Sequence, residues 1–224
     1  DFTANTVAAN KNGWWKVTGG KVDFNFTGLA SNTNGWWYLE KGKVNFSANT
    51  VAANDFGWWK VTNGAVDFNF TGLASNANGW WYLEKGKVNF GYTGFADNSY
   101  GRWRIEKGTV NFNYRDIVYE SSQWRYYYSG LFQKSYTGVT NCGNASGWWY
   151  VKNGVVDFSA NTVASNSNGW WKVTNGKVDF GFTGIASNDI GTWYLKGGKV
   201  DFSYNNSSYT YNGKTYNIKG GKAV

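Results

Sequence analysis

Tryptophan indoles are the side chains spaced regularly enough in this sequence to act together. The first Trp of a Gly-Trp-Trp phrase falls at Trp14, Trp36, Trp58 and Trp80, 22 residues apart. Further 22-residue steps reach Arg102 and Trp124, a 24-residue step reaches Trp148, and 22-residue steps then reach Trp170 and Thr192. Indole faces attract cations and stack on sugar rings, so a ladder of them offers individually weak contacts multiplied along a polymer. The chain has no His. That excludes Ser-His-Asp and Cys-His nucleophilic centres and His-ligated metals. Paired carboxylates are the remaining acid–base option, but those present are periodic. Glu40 and Glu84 occupy equivalent places, and Asp23, Asp67, Asp157, Asp179 and Asp201 share a slot with Asn45, Asn89 and Asn111. A catalytic acid is singular, whereas these recur and exchange with Asn. One carboxylate per repeat is too few for a tight calcium site. The chain is read as non-enzymatic, with no metal and no cofactor.

The elements that hold these side chains follow from the same period. A Gly stands six residues after each ladder position, from Gly20 and Gly42 through Gly108 and Gly130 to Gly176 and Gly198. A fixed period of this size signals a repeat architecture. Each repeat carries two turn signals, seen at 27–48 as Asn34-Gly35 and Lys41-Gly42. Asn-Gly is a strong hairpin signal because both residues accept positive φ cheaply. Between turns lie short runs of Trp, Tyr, Val and Phe, which suit strands. The prediction is an all-β fold, a rod-like β-hairpin solenoid of about ten 22-residue repeats. It forms one array over 1–224. Regular repeats cover 1–101, irregular ones 102–146, regular ones again 147–203, and a worn capping copy 204–224 with Tyr216 and Ile218 where Trp and Leu stood.

Alternation along the main strand separates two faces. The second Trp and the aliphatic residue two places on, such as Trp37/Leu39 and Trp81/Leu83, form the expected core face. The opposite face carries Trp14, Trp36 and Tyr38, Trp58, Trp80 and Tyr82, Arg102 and Arg104, Trp124 and Tyr126, Trp148 and Tyr150, Trp170, and Tyr194. Because it also holds Lys and Arg, it is expected to meet water, and these residues are the candidate ligand contacts; the competing reading packs them on the neighbouring repeat. Repeats alternate between an Ala-Asn-Thr-Val-Ala entry with Trp-Trp-Lys and a Phe-Thr-Gly-Leu-Ala entry with Trp-Trp-Tyr, so a 44-residue superunit with two non-equivalent sites is expected. In the irregular middle, Arg125 stands where a core Trp is expected. A buried unpaired Arg is prohibitive, so either the position is exposed or Arg125 pairs with Asp116 or Glu120.

Composition limits the partners. Aromatic residues make up 21% of the chain and charged residues 16%, with a net charge of +8 and a pI near 9.4. A basic surface favours polyanions such as teichoic acids and anionic glycans. The lysines are dispersed at turn tips, which argues against nucleic acid. The lone Cys142 forms no internal disulfide, no apolar run reaches membrane-span length, and the missing initial Met reads as a fragment or processed chain.

Short Gly-x-Trp-Tyr-type strands, each followed by a Gly turn, resemble the cell-wall-binding repeats of Gram-positive surface proteins, a group that includes choline-binding modules, glucan-binding repeats and clostridial toxin repeats. The resemblance implies a β-solenoid holding ligands between repeats, an extracellular or cell-surface bacterial location, and a glycan or cell-wall polymer, including anionic ones, as partner. The alternative is an adhesin that meets a host receptor or immunoglobulin through the same aromatic-basic surface. Choline-binding repeats usually carry Thr-Gly-Trp entering the hairpin. Here the matching residues are Leu29, Leu73, Phe95, Val139 and Ile185, with Val7, Val51 and Val163 in the other repeat type. The quaternary-ammonium cage lacks that wall, which favours a sugar or wall polymer over choline.

Overall fold

The computed structural model describes residues 1–141 and 147–224, and no helix occurs among them. The extra two residues read near Cys142 lie outside the described residues. Two compact units are present, Asp1–Phe112 and Asn113–Val224. Each is built from the same three-strand repeat, as expected for a β-hairpin solenoid. In the first unit the entry strands are Thr6–Asn10, Gly28–Asn32, Thr50–Asn54, Gly72–Asn76 and Gly94–Asn98. Each pairs antiparallel with a main strand: Gly13–Thr18, Gly35–Glu40, Gly57–Thr62, Gly79–Glu84 or Gly101–Glu106. A two-residue short strand, such as Lys43–Val44, folds back on the main strand and turns the chain toward the next repeat. The second unit repeats the plan from Asp116–Glu120 to Lys222–Ala223. The final hairpin, Asn206–Tyr211 with Lys214–Lys219, contains a register shift that matches its worn sequence.

Register joins one repeat to the next. Within each unit a short strand also bridges the main strand of the preceding repeat, as at Trp15↔Lys43 and Trp59↔Lys87 in the first unit and Trp149↔Lys177 and Trp171↔Lys199 in the second. Within each unit the Gly carbonyl of a second turn accepts from the main strand of the preceding repeat, as in Tyr38 N–H to Gly64 O and Lys172 N–H to Gly198 O. The core is likewise shared between neighbours. Val7 packs with Leu39 and Val44 of the next repeat, Val51 with Leu83 and Val88, and Val163 with Leu195 and Val200. A single repeat therefore buries its apolar face only on its neighbours, the usual condition of a solenoid.

The two turns differ. At Lys41-Gly42 both residues have left-handed φ, 49° and 76°, as that signal implies. At Asn34-Gly35 only Gly35 has positive φ, 139°, so the expectation of two left-handed residues fails there. The reason is an Asx turn: Asn32 Oδ1 accepts from the Asn34 backbone N–H at 2.9 Å and sets the turn from one residue earlier. The Asp/Asn slot has the same explanation. Asp23 Oδ1 accepts from the Asn25 N–H and Asn45 Oδ1 from the Ser47 N–H, so either side chain serves.

Candidate ligand-binding site

Asn32, Asn54, Asn76, Asn98, Asn166 and Asn188 end the entry strands, and each accepts the indole N–H of the second Trp five residues on, at 3.0–3.1 Å. This Asn-x4-Trp signal was in the sequence and went unread. It fixes the second Trp on the inner side while leaving its ring accessible. The first Trp does not stand free in water. In the first unit Trp14 lies 4.9 Å from Trp37 and 5.9 Å from Phe46 of the next repeat, and Trp58 lies 4.8 Å from Trp81 and 6.1 Å from Phe90. The second unit repeats this with Trp148, Trp171 and Phe180, and with Trp170, Trp193 and Phe202. The division into a core face and a water face is therefore corrected. The inner face holds the core, with Leu39, Val61 and Leu83 fully buried as expected, but the outer face is half-buried as well, because the next repeat's Trp and Phe cover it. Tyr38, Tyr82, Tyr150 and Tyr194 are also partly or fully covered, and burial pushes all four phenols above their ordinary pKa. Tyr82 stacks on Tyr92 and Tyr194 on Tyr204, each at 3.8 Å.

Two steps depart from this packing. Phe56 and Tyr100 replace the turn Asn found at Asn34 and Asn78. Trp36 packs on Phe56 at 5.8 Å, and Trp80 on Tyr100 at 5.5 Å. With Trp36 drawn aside, a pocket of about 390 Å³ opens, lined by Trp36, Asn54, Phe56, Trp59, Val66, Phe68 and Lys87. Lys87 Nζ lies 5.3 Å from the Trp59 ring centroid. Lys43, Lys177, Lys199 and Lys222 hold the same position over Trp15, Trp149, Trp171 and Trp193. Lys43, Lys87 and Lys199 were expected at turn tips; they lie instead over indoles, because the short strand bridges the preceding main strand. The residues standing in for the missing cage Trp, including Val7, Leu29, Val51 and Val139, are buried core residues. The ring walls here come instead from successive repeats.

The irregular positions are compensated in pairs. Arg102 Nη1 reaches Asp97 across the hairpin at 2.6 Å, and Arg102 and Arg104 flank the Phe95 ring. Arg125 Nη1 pairs with Glu120 Oε1 at 2.8 Å, one of the two alternatives read from the sequence, and Tyr127 donates its hydroxyl to the same oxygen at 2.7 Å. Glu120 and Arg125 stand in the Asn and Trp places, so an ion pair replaces the Asn–indole bond. Trp124 is 41% exposed and lies 5.6 Å from exposed Tyr119. Tyr126 is buried against Tyr136. Among the described residues no cluster of acidic, Cys or His side chains could hold a metal.

The model of the choline-binding repeat matches residues 3–23, 25–45, 69–89, 91–111, 135–157, 159–179 and 181–201. The chain belongs to the choline-binding repeat family. Its repeats over 47–67 and 113–133 fall outside the match, and these hold the Phe56 turn and the Glu120–Arg125 pair. Among solved structures the choline-binding repeats resemble three from Streptococcus pneumoniae. CbpJ is 16% identical over 95% of this chain and 76% of its own, with a TM-score of 0.32. Choline binding protein F, solved with a peptidoglycan analogue, is 15% identical over 100% and 94%, with a TM-score of 0.32. The modular autolysin LytC is 13% identical over 98% of this chain and 52% of its own, with a TM-score of 0.35. No curated protein matches the chain.

Proposed function

We propose that this chain is a non-catalytic, extracellular module of a bacterial surface protein that holds a cell-wall polymer bearing choline phosphate. The observation that carries the reading is the open ring cluster around Trp36, Phe56, Trp59 and Phe68, where the equivalent clusters at Trp14 and Trp58 are closed by the next repeat's Trp. Aromatic faces attract a quaternary ammonium, and the Lys87 ammonium offers a charge-assisted partner to the adjoining phosphodiester. Family membership supports the ligand class. The absence of His and the commitment of the slot carboxylates to Asx turns support a binding role over a catalytic one. A ligand of this kind also accounts for the net charge of +8 without nucleic acid.

The test uses the repeats as an internal guide. Phe56→Asn restores the turn residue of Asn34 and Asn78, which lets Trp36 close on Trp59. Calorimetric titration with phosphocholine is expected to lose roughly tenfold or more in affinity in this variant, about 1.4 kcal/mol, with the melting temperature retained. Unchanged affinity in both Phe56→Asn and Trp59→Phe would remove the pocket as the site.

A further inference from the structure

A second kind of recess, sharing no residue with the Trp36–Trp59 pocket, is lined by successive entry strands. In the first unit it spans three repeats, measures about 400 Å³, and includes Gly28, Tyr38, Thr50, Ala53, Trp58 and Asn78. The second unit has its counterpart of about 240 Å³, with Gly138, Tyr150, Thr162, Ser165, Trp170 and Ile190 in the same order, and with Asp189 at the rim where the first groove has Ala77. Both occur where a Tyr-bearing repeat is followed by a Trp-Trp-Lys repeat, so the 44-residue alternation produces them.

The chemistry of the lining is specific. No charged side chain lines the first groove, so it does not suit an ion. Tyr38 and Trp58 give it two rings, while Gly28 and Ala53 keep its floor low. Among the described residues, neither Tyr38 nor Thr50 spends its hydroxyl on a hydrogen bond, and the same holds for Tyr150 and Thr162. Rings beside unspent hydroxyls match the alternating apolar faces and hydroxyl edges of a pyranose. Two other hairpins carry larger side chains at this register: Asp97 and Tyr119 occupy the place of Ala53, each opposite the ladder residue of its hairpin.

We propose that the Tyr38–Thr50–Trp58 groove, with its counterpart at Tyr150–Thr162–Trp170, binds a neutral oligosaccharide segment, separately from the cationic group held at Trp36 and Trp59. The proposal uses the reading of the chain as a wall-polymer binder only in choosing a saccharide as occupant. Its experiment leaves the ring cluster intact, so either can fail alone.

Ala53→Tyr with Ser165→Tyr fills both grooves with a residue that the fold already accepts at Tyr119. Thr50→Val with Tyr38→Phe removes the hydroxyls without changing shape. Protein-observed NMR titration is made with N-acetylglucosamine and glucose tetrasaccharides, and with phosphocholine in parallel. The expected result is saturable binding of a tetrasaccharide that shifts Trp58 and Trp170 indole signals. It weakens at least roughly tenfold in the filled variant and measurably in the hydroxyl variant, with phosphocholine affinity unchanged. The proposal is overturned if no neutral tetrasaccharide shifts those signals, or if the filled variant binds as well as the parent. Loss of phosphocholine binding alone would count against the ring cluster and leave the groove standing.

Discussion

Glu120 and Arg125 form a pair whose members make sense only together. Glu120 is held within a covered site by the Arg125 guanidinium and the Tyr127 hydroxyl, in a place where every other described repeat except the last uses a short Asn. Removing one partner of a covered ion pair costs about 3–5 kcal/mol because the other charge is left uncompensated. Arg125→Trp and Glu120→Asn are each expected to destabilise the second unit, and the double substitution, which rebuilds the regular Asn-x4-Trp motif, to recover most of the loss. Urea unfolding of the four proteins measures the coupling. Additive losses would mean that the two side chains act independently. The pairing also explains how the fold accommodates Arg125 where the regular repeats have Trp: Glu120 supplies its counter-charge at 2.8 Å.

At the scale of the element, the second turn is the rigid point of each repeat. A Cβ on Gly42 would stand 2.3 Å from the Asp23 carbonyl oxygen and 2.9 Å from the Phe24 Cα, both backbone atoms of the preceding turn. At Gly35, whose φ is also positive, a Cβ would meet nothing within 4 Å. Gly35→Ala should therefore cost only backbone strain, on the order of 1–3 kcal/mol. Gly42→Ala should cost more, because turn and neighbour must separate. Thermal melts of the two variants check this, and equal losses would show that φ alone requires the glycines. Gly13 and Gly57 are a third case: their missing Cβ makes room for the stems of Lys43 and Lys87, which then reach the Trp rings. Turn, lysine and indole thus form one device that recurs with the repeat.

Across the whole molecule, the lysines of this basic chain, with its net charge of +8, serve different uses. Lys43, Lys87, Lys177, Lys199 and Lys222 lie over indoles. Lys41, Lys85 and Lys107 stand at exposed second turns with left-handed φ and serve only as charge. Exposed charges are screened within about 8 Å at physiological salt. Lys41→Gln, Lys85→Gln and Lys107→Gln together should lower affinity for an anionic wall polymer at low salt and flatten its salt dependence. Phosphocholine binding in the Trp36 pocket should stay unchanged. Polymer retention on a wall-polymer column across a salt gradient reads the effect. A triple variant with the parental salt profile would leave the aromatic sites as the driver.

The period, the strands and the turn glycines were legible in the sequence because they depend on local backbone chemistry repeated many times. Leu39, Val61 and Leu83 were readable as core for the same reason: alternation fixes which side a strand residue faces. The asparagines that hold the indoles were equally periodic and local, and only went unrecognised. What lies on the other side of a strand is not a local property. Trp14 and Trp36 are both preceded by Asn-Gly and followed by Trp, yet Trp14 closes on Trp37 while Trp36 turns to Phe56. That choice is made by a residue 20 places further along, brought alongside only when hairpins stack. The lysines moved from expected turn tips to ring faces by the same cross-repeat register. Repetition in the chain determined the fold; contacts between consecutive repeats decided which rings are closed, which pocket is open and where a ligand fits.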